Sequence, residues 1–439
     1  MKAYPIILSL LMIYNVAFSQ RPAIQYIRPN NKEGLNIFEN SKKDTGSFES
    51  LKLSIGGNFT QDYQALNHKN DALDLVVDSV HINTLVPIKD GFNLAMANLN
   101  LNAQLADGIR MEITMYLSSR HHAEAWVKGG YIQFDKLTFL NSPFIDKLMK
   151  DFTIKIGDYE VDYGDQHYRR TDGGNAIYNP FVENYIMDEF TTEIGGDIIY
   201  HPRSGALASF GITNGQLNPT VLIPTKPDPA TGKIIKYKAA FHGKMGFDKQ
   251  FTDDFRLRLT GSFYIDASAE NNTLFFGDRA GSHYFFVMEN EHATSNGNAW
   301  SGRFNPKFTR EVSTFMFNPF LQYKSLELFG TFEIGSGKQS TEPDRREVKQ
   351  YAADIILRFP HKTENFWIGS RINTVNAFVP NSSREIIIKR ITGSAGWFMT
   401  KNILAKIEYV TQVYQEFLTT DIRSNGKFNG FMIEASVGF

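Results

Sequence analysis

Apolar and polar side chains alternate along most of this chain, and residues 427–439 (KFNGFMIEASVGF) show the pattern most clearly. One parity holds Phe431, Ile433, Ala435, Val437 and Phe439, and the other holds Gly430, Met432, Glu434, Ser436 and Gly438. Successive side chains of a β-strand point to opposite faces, so this segment predicts a strand with one apolar and one polar face. The alternative is an ordinary edge strand of a soluble sheet.

The same alternation predicts about sixteen strands along the chain. We place them at 51–61, 93–104, 109–117, 124–135, 152–158, 190–200, 205–214, 236–247, 255–266, 313–323, 326–335, 350–359, 366–373, 390–399, 403–417 and 427–439. In 124–135 the sequence does not show which side chains face outward. Residues 141–151 predict a brief helix within a turn. Most segments have roughly the 9–11 residues that a tilted membrane strand requires.

Short and long connections alternate between these strands. Even-numbered connections are short, apart from 141–151, and every long connection is odd-numbered. Short periplasmic turns and long external loops are typical of a transmembrane barrel, whereas a soluble sandwich or a β-helix does not predict them. We therefore predict an all-β fold, a transmembrane antiparallel β-barrel of about sixteen strands.

The first residues have the features of an export signal. Lys2 precedes an apolar stretch over 5–16 that is too short to span a bilayer. Ala17 and Ser19 occupy the small-residue positions of a cleavage site. We expect 1–19 to be a signal peptide, 20–49 to be a polar periplasmic lead-in and 50–439 to form the barrel.

The aromatic final residue, Phe439, resembles the end of Gram-negative outer-membrane β-barrels, whose last strand typically closes on phenylalanine. The resemblance implies that Phe439 is an assembly signal read by the barrel-assembly machinery. It also implies a place in the outer membrane of a Gram-negative bacterium, with outer-membrane lipid around the barrel.

Composition narrows the function. The chain has no cysteine, hence no disulfide, thiolate nucleophile or cysteine metal site. Its formal net charge of −1 argues against a nucleic-acid partner.

His121, His122 and Glu124 offer metal ligands, but adjacent histidines on an exposed loop are usually only solvated. The segment TDGGN (171–175) lacks the full calcium-loop pattern, which favours a simple turn. No histidine–serine pair faces outward, as a barrel phospholipase would require. We predict no enzyme, no metal and no cofactor.

Many of the side chains that are predicted to face the inside of the barrel are charged. One group, the basic wall, consists of Lys236, Lys238, His242, Lys244, Arg256 and Arg258 on two adjacent predicted strands. Elsewhere the inward charges are of both signs. Two interpretations stay open: a water-filled lumen, which about sixteen strands are wide enough to enclose, or a lattice of salt bridges that seals it.

The connection 159–188 is the predicted constriction loop. Its charged residues include Glu160, Asp162, Asp165, Arg169, Arg170 and Asp172. By position and charge it resembles the third loop of general porins, which folds inward against a basic wall; a loop lying over the rim is the alternative. Segments 154–170 and 191–200 also weakly resemble phosphate-selective porins, although a continuous ladder of arginine and lysine is missing.

These features predict an outer-membrane porin for small hydrophilic solutes, with anions among them, narrowed by the loop 159–188. The alternative is a non-conducting barrel that serves as a docking or assembly partner in an envelope or secretion complex. A lumen filled by residues 20–49 or by the long loops would favour that alternative. Association of several copies is compatible with either function.

Overall fold

The computed structural model describes residues 24–42, 46–93, 95–118, 125–221, 223–225, 227–230, 232–380 and 382–439. The predicted signal peptide and the metal-ligand candidates His121, His122 and Glu124 lie outside these ranges. Sixteen long antiparallel strands form one closed sheet, in which each pairs with its neighbour in the chain and the last pairs with the first. The predicted fold class is therefore confirmed.

The strands are β1 Lys52–Lys69, β2 Met96–Ala106, β3 Ile109–Leu117, β4 Ala125–Phe134, β5 Phe152–Glu160, β6 Thr192–Tyr200, β7 Ala206–Thr213, β8 Ala240–Thr252, β9 Phe255–Asp266, β10 Glu311–Tyr323, β11 Leu326–Lys338, β12 Arg346–Phe359, β13 Phe366–Phe378, β14 Glu385–Phe398, β15 Ile403–Gln415 and β16 Lys427–Gly438. Shorter strands, Val76–Val77, Val80–His81 and Gly91–Phe92, lie in the connection between β1 and β2. Among the described residues, no helix is long and apolar enough to cross a membrane.

Side-chain parity follows the predicted pattern. On β16, Ile433 is 50% exposed on the outer face, whereas Glu434 is fully buried on the inner face. The seam that closes the barrel pairs Asp62 of β1 with Glu434. Phe439 extends this pairing, since its backbone exchanges hydrogen bonds with Gly57 at 2.9 and 3.0 Å.

The parity of β4 changes within the strand. Trp126 and Lys128 point inward near one end, and Gln133 points inward near the other. The register with β3 shifts at this place, leaving Lys128 as an extra residue between two paired positions. Such a bulge moves the following side chains to the opposite face, which explains why alternation alone does not settle this strand.

The two ends of the barrel differ. At the turn end, most described connections have two to six residues, and the exception, between β4 and β5, contains the helix Pro143–Leu148 where a brief helix is predicted. At the loop end the connections are long. Residues 161–191, which we call the inserted loop, enter the barrel between β5 and β6, and residues 267–310, the outer loop, pack above them. The apolar core thus lies largely inside the barrel, between the loops and the wall.

Candidate functional site

The inserted loop lies inside the barrel and is buried along nearly its whole length. Buried backbone groups need partners, and side chains of the wall supply them. The amides of Gly164, Asp165, Val182, Ile186 and Met187 donate to Ser262, Asn318, Glu408, Asn373 and Gln350, at 2.6 to 3.0 Å. The inward polar residues of β9 to β15 therefore hold a loop rather than line an open pore.

Part of the basic wall binds the acids of this loop directly. Lys244 lies 2.5 Å from Asp162 and 3.1 Å from Asp165. Arg258 makes two 2.7 Å hydrogen bonds to Asp165, a bidentate pair. Arg258 and Lys244 outweigh the effect of burial and hold the pKa of Asp165 well below its usual range.

The remaining members of the basic wall are placed differently. His242 is buried and lies 2.7 Å from Asp197, and Arg256 pairs with Asp248 at 2.7 Å. Lys236 and Lys238 do not belong to the inner wall: β8 begins only at Ala240, and both lysines are exposed in the preceding connection. Apolar and polar residues also alternate just before β8, outside the sheet. A polar loop can show this pattern by chance, so the pattern alone placed the start of the strand too early.

The other charged residues predicted for the constriction loop are also paired. Arg169 lies 3.3 Å from Glu327 of β11, and Arg170 lies 2.7 Å from Asp188. Burial alone would raise the pKa of Asp188, but Arg170 and Arg303 outweigh it and lower that pKa to about 2. At the loop end of β4, Lys128 contacts Asp172 and lies 3.7 Å from Glu160. The segment 171–175 forms a turn closed by mutual 2.9 Å hydrogen bonds between Asp172 and Asn175.

The outer loop adds contacts that sequence reasoning did not find. Arg303 bridges Glu183 at 2.7 Å and Asp188 at 2.9 Å. His283 reaches the barrel seam, 2.5 Å from Asp62 and 3.6 Å from Glu434. These partners lie more than 100 positions apart in the chain, and the only signal for them was a long stretch rich in glycine and asparagine.

The seam cluster Asp62, His283 and Glu434 has the residue types of a metal site. Lys406 lies 2.5 Å from Glu434, so a protonated His283 and Lys406 together balance the two carboxylates. We therefore interpret the cluster as an ion-paired fastening of the outer loop.

Residues 24–42 of the lead-in cross the turn end of the barrel. The backbone amide of Lys32 donates to Lys401 at 2.8 Å, in the connection between β14 and β15. Arg28 stacks on the ring of Tyr178, 3.6 Å from its centroid, and the Tyr178 hydroxyl donates to Pro29 at 2.6 Å. The inserted loop thus spans the lumen from the loop end to the lead-in.

A polar cavity of about 700 Å³ remains between the inserted loop and the wall of β2 to β6. Its lining includes Asn98, Asn100, Asn102, Arg110, Glu112, Thr114, Lys128, Tyr131, Lys155, Asp158, Tyr159, Glu160, Asp162, His167, Tyr168 and Asp172 from the wall and the loop, and Ile24, Arg28 and Asn30 from the lead-in. Because these residues come from both ends of the strands, the cavity extends along most of the barrel's height.

Some polar groups of the cavity wall are only partly buried. Asn100 and Thr114 face it as uncharged polar side chains. Lys155 stands over the rings of Tyr131 and Tyr159, 4.8 and 5.4 Å from their centroids. A lining of amides, hydroxyls and charges suits water and small polar solutes.

The closed sheet of sixteen strands and its apolar outer face define a transmembrane antiparallel β-barrel. An anion-selective porin from Comamonas acidovorans has a similar fold, with 8% sequence identity, a TM-score of 0.50 and coverage of 89% of this chain and 100% of that one. OprB of Pseudomonas putida has 9% identity, a TM-score of 0.50 and coverage of 88% and 94%. No protein-family model and no curated protein matches the sequence. The resemblance to phosphate-selective porins stays a prediction.

Proposed function

We propose that this protein is an outer-membrane channel for small polar solutes, whose path is the cavity beside the inserted loop. The observation that carries the proposal is the extent of that cavity, from Lys128 near the loop end to Arg28 near the turn end. An inserted loop that narrows a barrel to one lateral path limits the size of the solutes that pass. In this proposal the turn end, where the lead-in lies, faces the periplasm.

Ion preference depends on charges in the cavity. The cations of the basic wall that lie inside the barrel are already neutralised by Asp162, Asp165, Asp197 and Asp248. Lys155 is the cavity lysine whose closest described contacts are aromatic rings rather than a carboxylate. A preference for anions would therefore depend on Lys155 more than on the basic wall.

Conductance across a planar bilayer tests the proposal. Thr114→Trp places a large side chain in the cavity and should lower single-channel conductance severalfold. Thr341→Trp is the matched control, because Thr341 is exposed in the connection between β11 and β12. Equal conductance of the two variants would place the path elsewhere.

The non-conducting barrel is the second candidate, and one observation favours it. The inserted loop, the outer loop and the lead-in together occupy much of the lumen, and each is joined to the wall by a buried ion pair: Asp162 with Lys244, His283 with Asp62 and Glu39 with Arg258. A folded wild-type barrel that shows no conductance at any voltage would select this candidate, a docking or assembly partner.

A further inference from the structure

The long turn-end connection between β4 and β5 exposes apolar side chains. Four of its large apolar residues, Phe139, Leu140, Phe144 and Leu148, are exposed, and Phe144 is exposed by 72%. Four such residues within ten positions make this segment an apolar patch, which water disfavours and which usually marks a contact surface.

Local interactions hold this connection in a defined shape. Ser142 caps the helix Pro143–Leu148 by accepting a hydrogen bond from the amide of Ile145, and Pro143 occupies the first turn. At its base, Lys136 pairs with Asp107 at 3.0 Å, and Met149 is buried. The patch is thus presented by a fixed element and is not the side of a loose loop.

The patch continues the surface that faces lipid. The connection leaves the barrel after Phe134 and returns at Phe152. The side chains of Phe134 and Phe152 point outward, on the same face of the sheet as Ile132 and Ile156. The ring of Phe152 lies 4.9 Å from that of Tyr200 on β6, as in an aromatic belt at a membrane boundary.

We propose that residues 137–150 lie in the boundary layer of the membrane at the turn end, with Phe139, Phe144 and Leu148 among the acyl chains. Lys147 and Lys150 are exposed beside the patch and reach the lipid phosphates. A short amphipathic element of this kind binds a lipid surface through its apolar area and its basic side chains.

The absence of cysteine from the chain makes a direct test simple. Phe144→Cys is labelled with an environment-sensitive fluorophore, and the folded protein is placed in vesicles of phosphatidylglycerol and phosphatidylethanolamine that contain spin-labelled lipid. The matched control is Asp253→Cys, an exposed position in the tight turn between β8 and β9. Both variants are measured only as the folded, heat-modifiable barrel.

We expect spin-labelled lipid to quench the label at position 144 severalfold more than the label at 253, and iodide in the water to show the reverse order. Equal quenching of the two labels, or iodide reaching position 144 as well as 253, would overturn the proposal. The patch would then face the periplasm and suit a protein partner.

Discussion

The residues that hold the inserted loop are mostly charged, and their pairs are buried. Arg258 is the clearest example, since its guanidinium contacts both Asp165 and Glu39 and is fully buried. A buried pair is a weak source of net stability, but removing one partner leaves an uncompensated charge. The sequence identified these residues as inward-facing charges. It did not pair them, because the partners come from the lead-in, the loop and β9, which are far apart in the chain.

Removing Arg258 therefore tests the fastening of the loop. Arg258→Met leaves Asp165 and Glu39 with Lys244 as their one remaining nearby cation among the described residues and should lower the free energy of unfolding by about 3–5 kcal/mol. Arg384→Met is the control, because Arg384 and its partner Glu416 are exposed and such pairs contribute little. Urea unfolding of the refolded barrel measures both variants. Equal losses would mean that the Arg258 pairs do not hold the loop.

His283 gives the outer loop a dependence on pH. Burial disfavours its charged form, but Asp62, with Glu434 and Glu183, outweighs burial and raises its pKa from 6.5 to about 9. Its contribution to stability is fully present below pH 6.5 and is lost as the pH rises to about 9. We expect the free energy of unfolding of the wild type to fall across this interval by roughly 3 kcal/mol at most.

The variant His283→Gln cannot gain or lose this proton, so its stability should change much less over the same interval. Urea unfolding at the two ends of the interval measures the difference. A variant that follows the wild type would show that another group causes the loss.

At the scale of the strands, the alternation predicted the barrel and most side-chain faces well, because one face must be apolar wherever the strand meets lipid. The strand ends were less predictable. β1 runs to Lys69, beyond the predicted end at residue 61, since it continues past the apolar belt where alternation carries no signal. The shape of the loops could not be predicted, because it depends on contacts between distant residues and not on a local period.

Placing a cation at three positions tests the assignment of faces. Ile433→Arg faces lipid and should cost roughly 2–4 kcal/mol near the midplane. Asn100→Arg enters the polar cavity and should be tolerated. A wet lumen would also tolerate Ser262→Arg, but Ser262 is buried against the backbone of Gly164, so we expect that variant to be destabilised. The folded fraction after heating in detergent measures all three, and a tolerated Ile433→Arg would contradict the assignment.

At the scale of the whole molecule, the barrel divides into two halves. Along β9 to β15 the wall is committed to the inserted loop, and along β2 to β6 it encloses the cavity. In the proposed function, solutes would pass on the cavity side only. The two sides differ in whether water reaches an inward side chain, and this difference can be measured directly.

The most direct measurement is the effect of a charged thiol reagent on single-channel current in two cysteine variants. Thr114→Cys lies on the cavity side and Thr331→Cys on the filled side, and both are inward-facing threonines in a chain without other cysteines. We predict that the reagent reduces the current of Thr114→Cys and leaves that of Thr331→Cys unchanged. Block of Thr331→Cys with no effect on Thr114→Cys would contradict a path along the cavity.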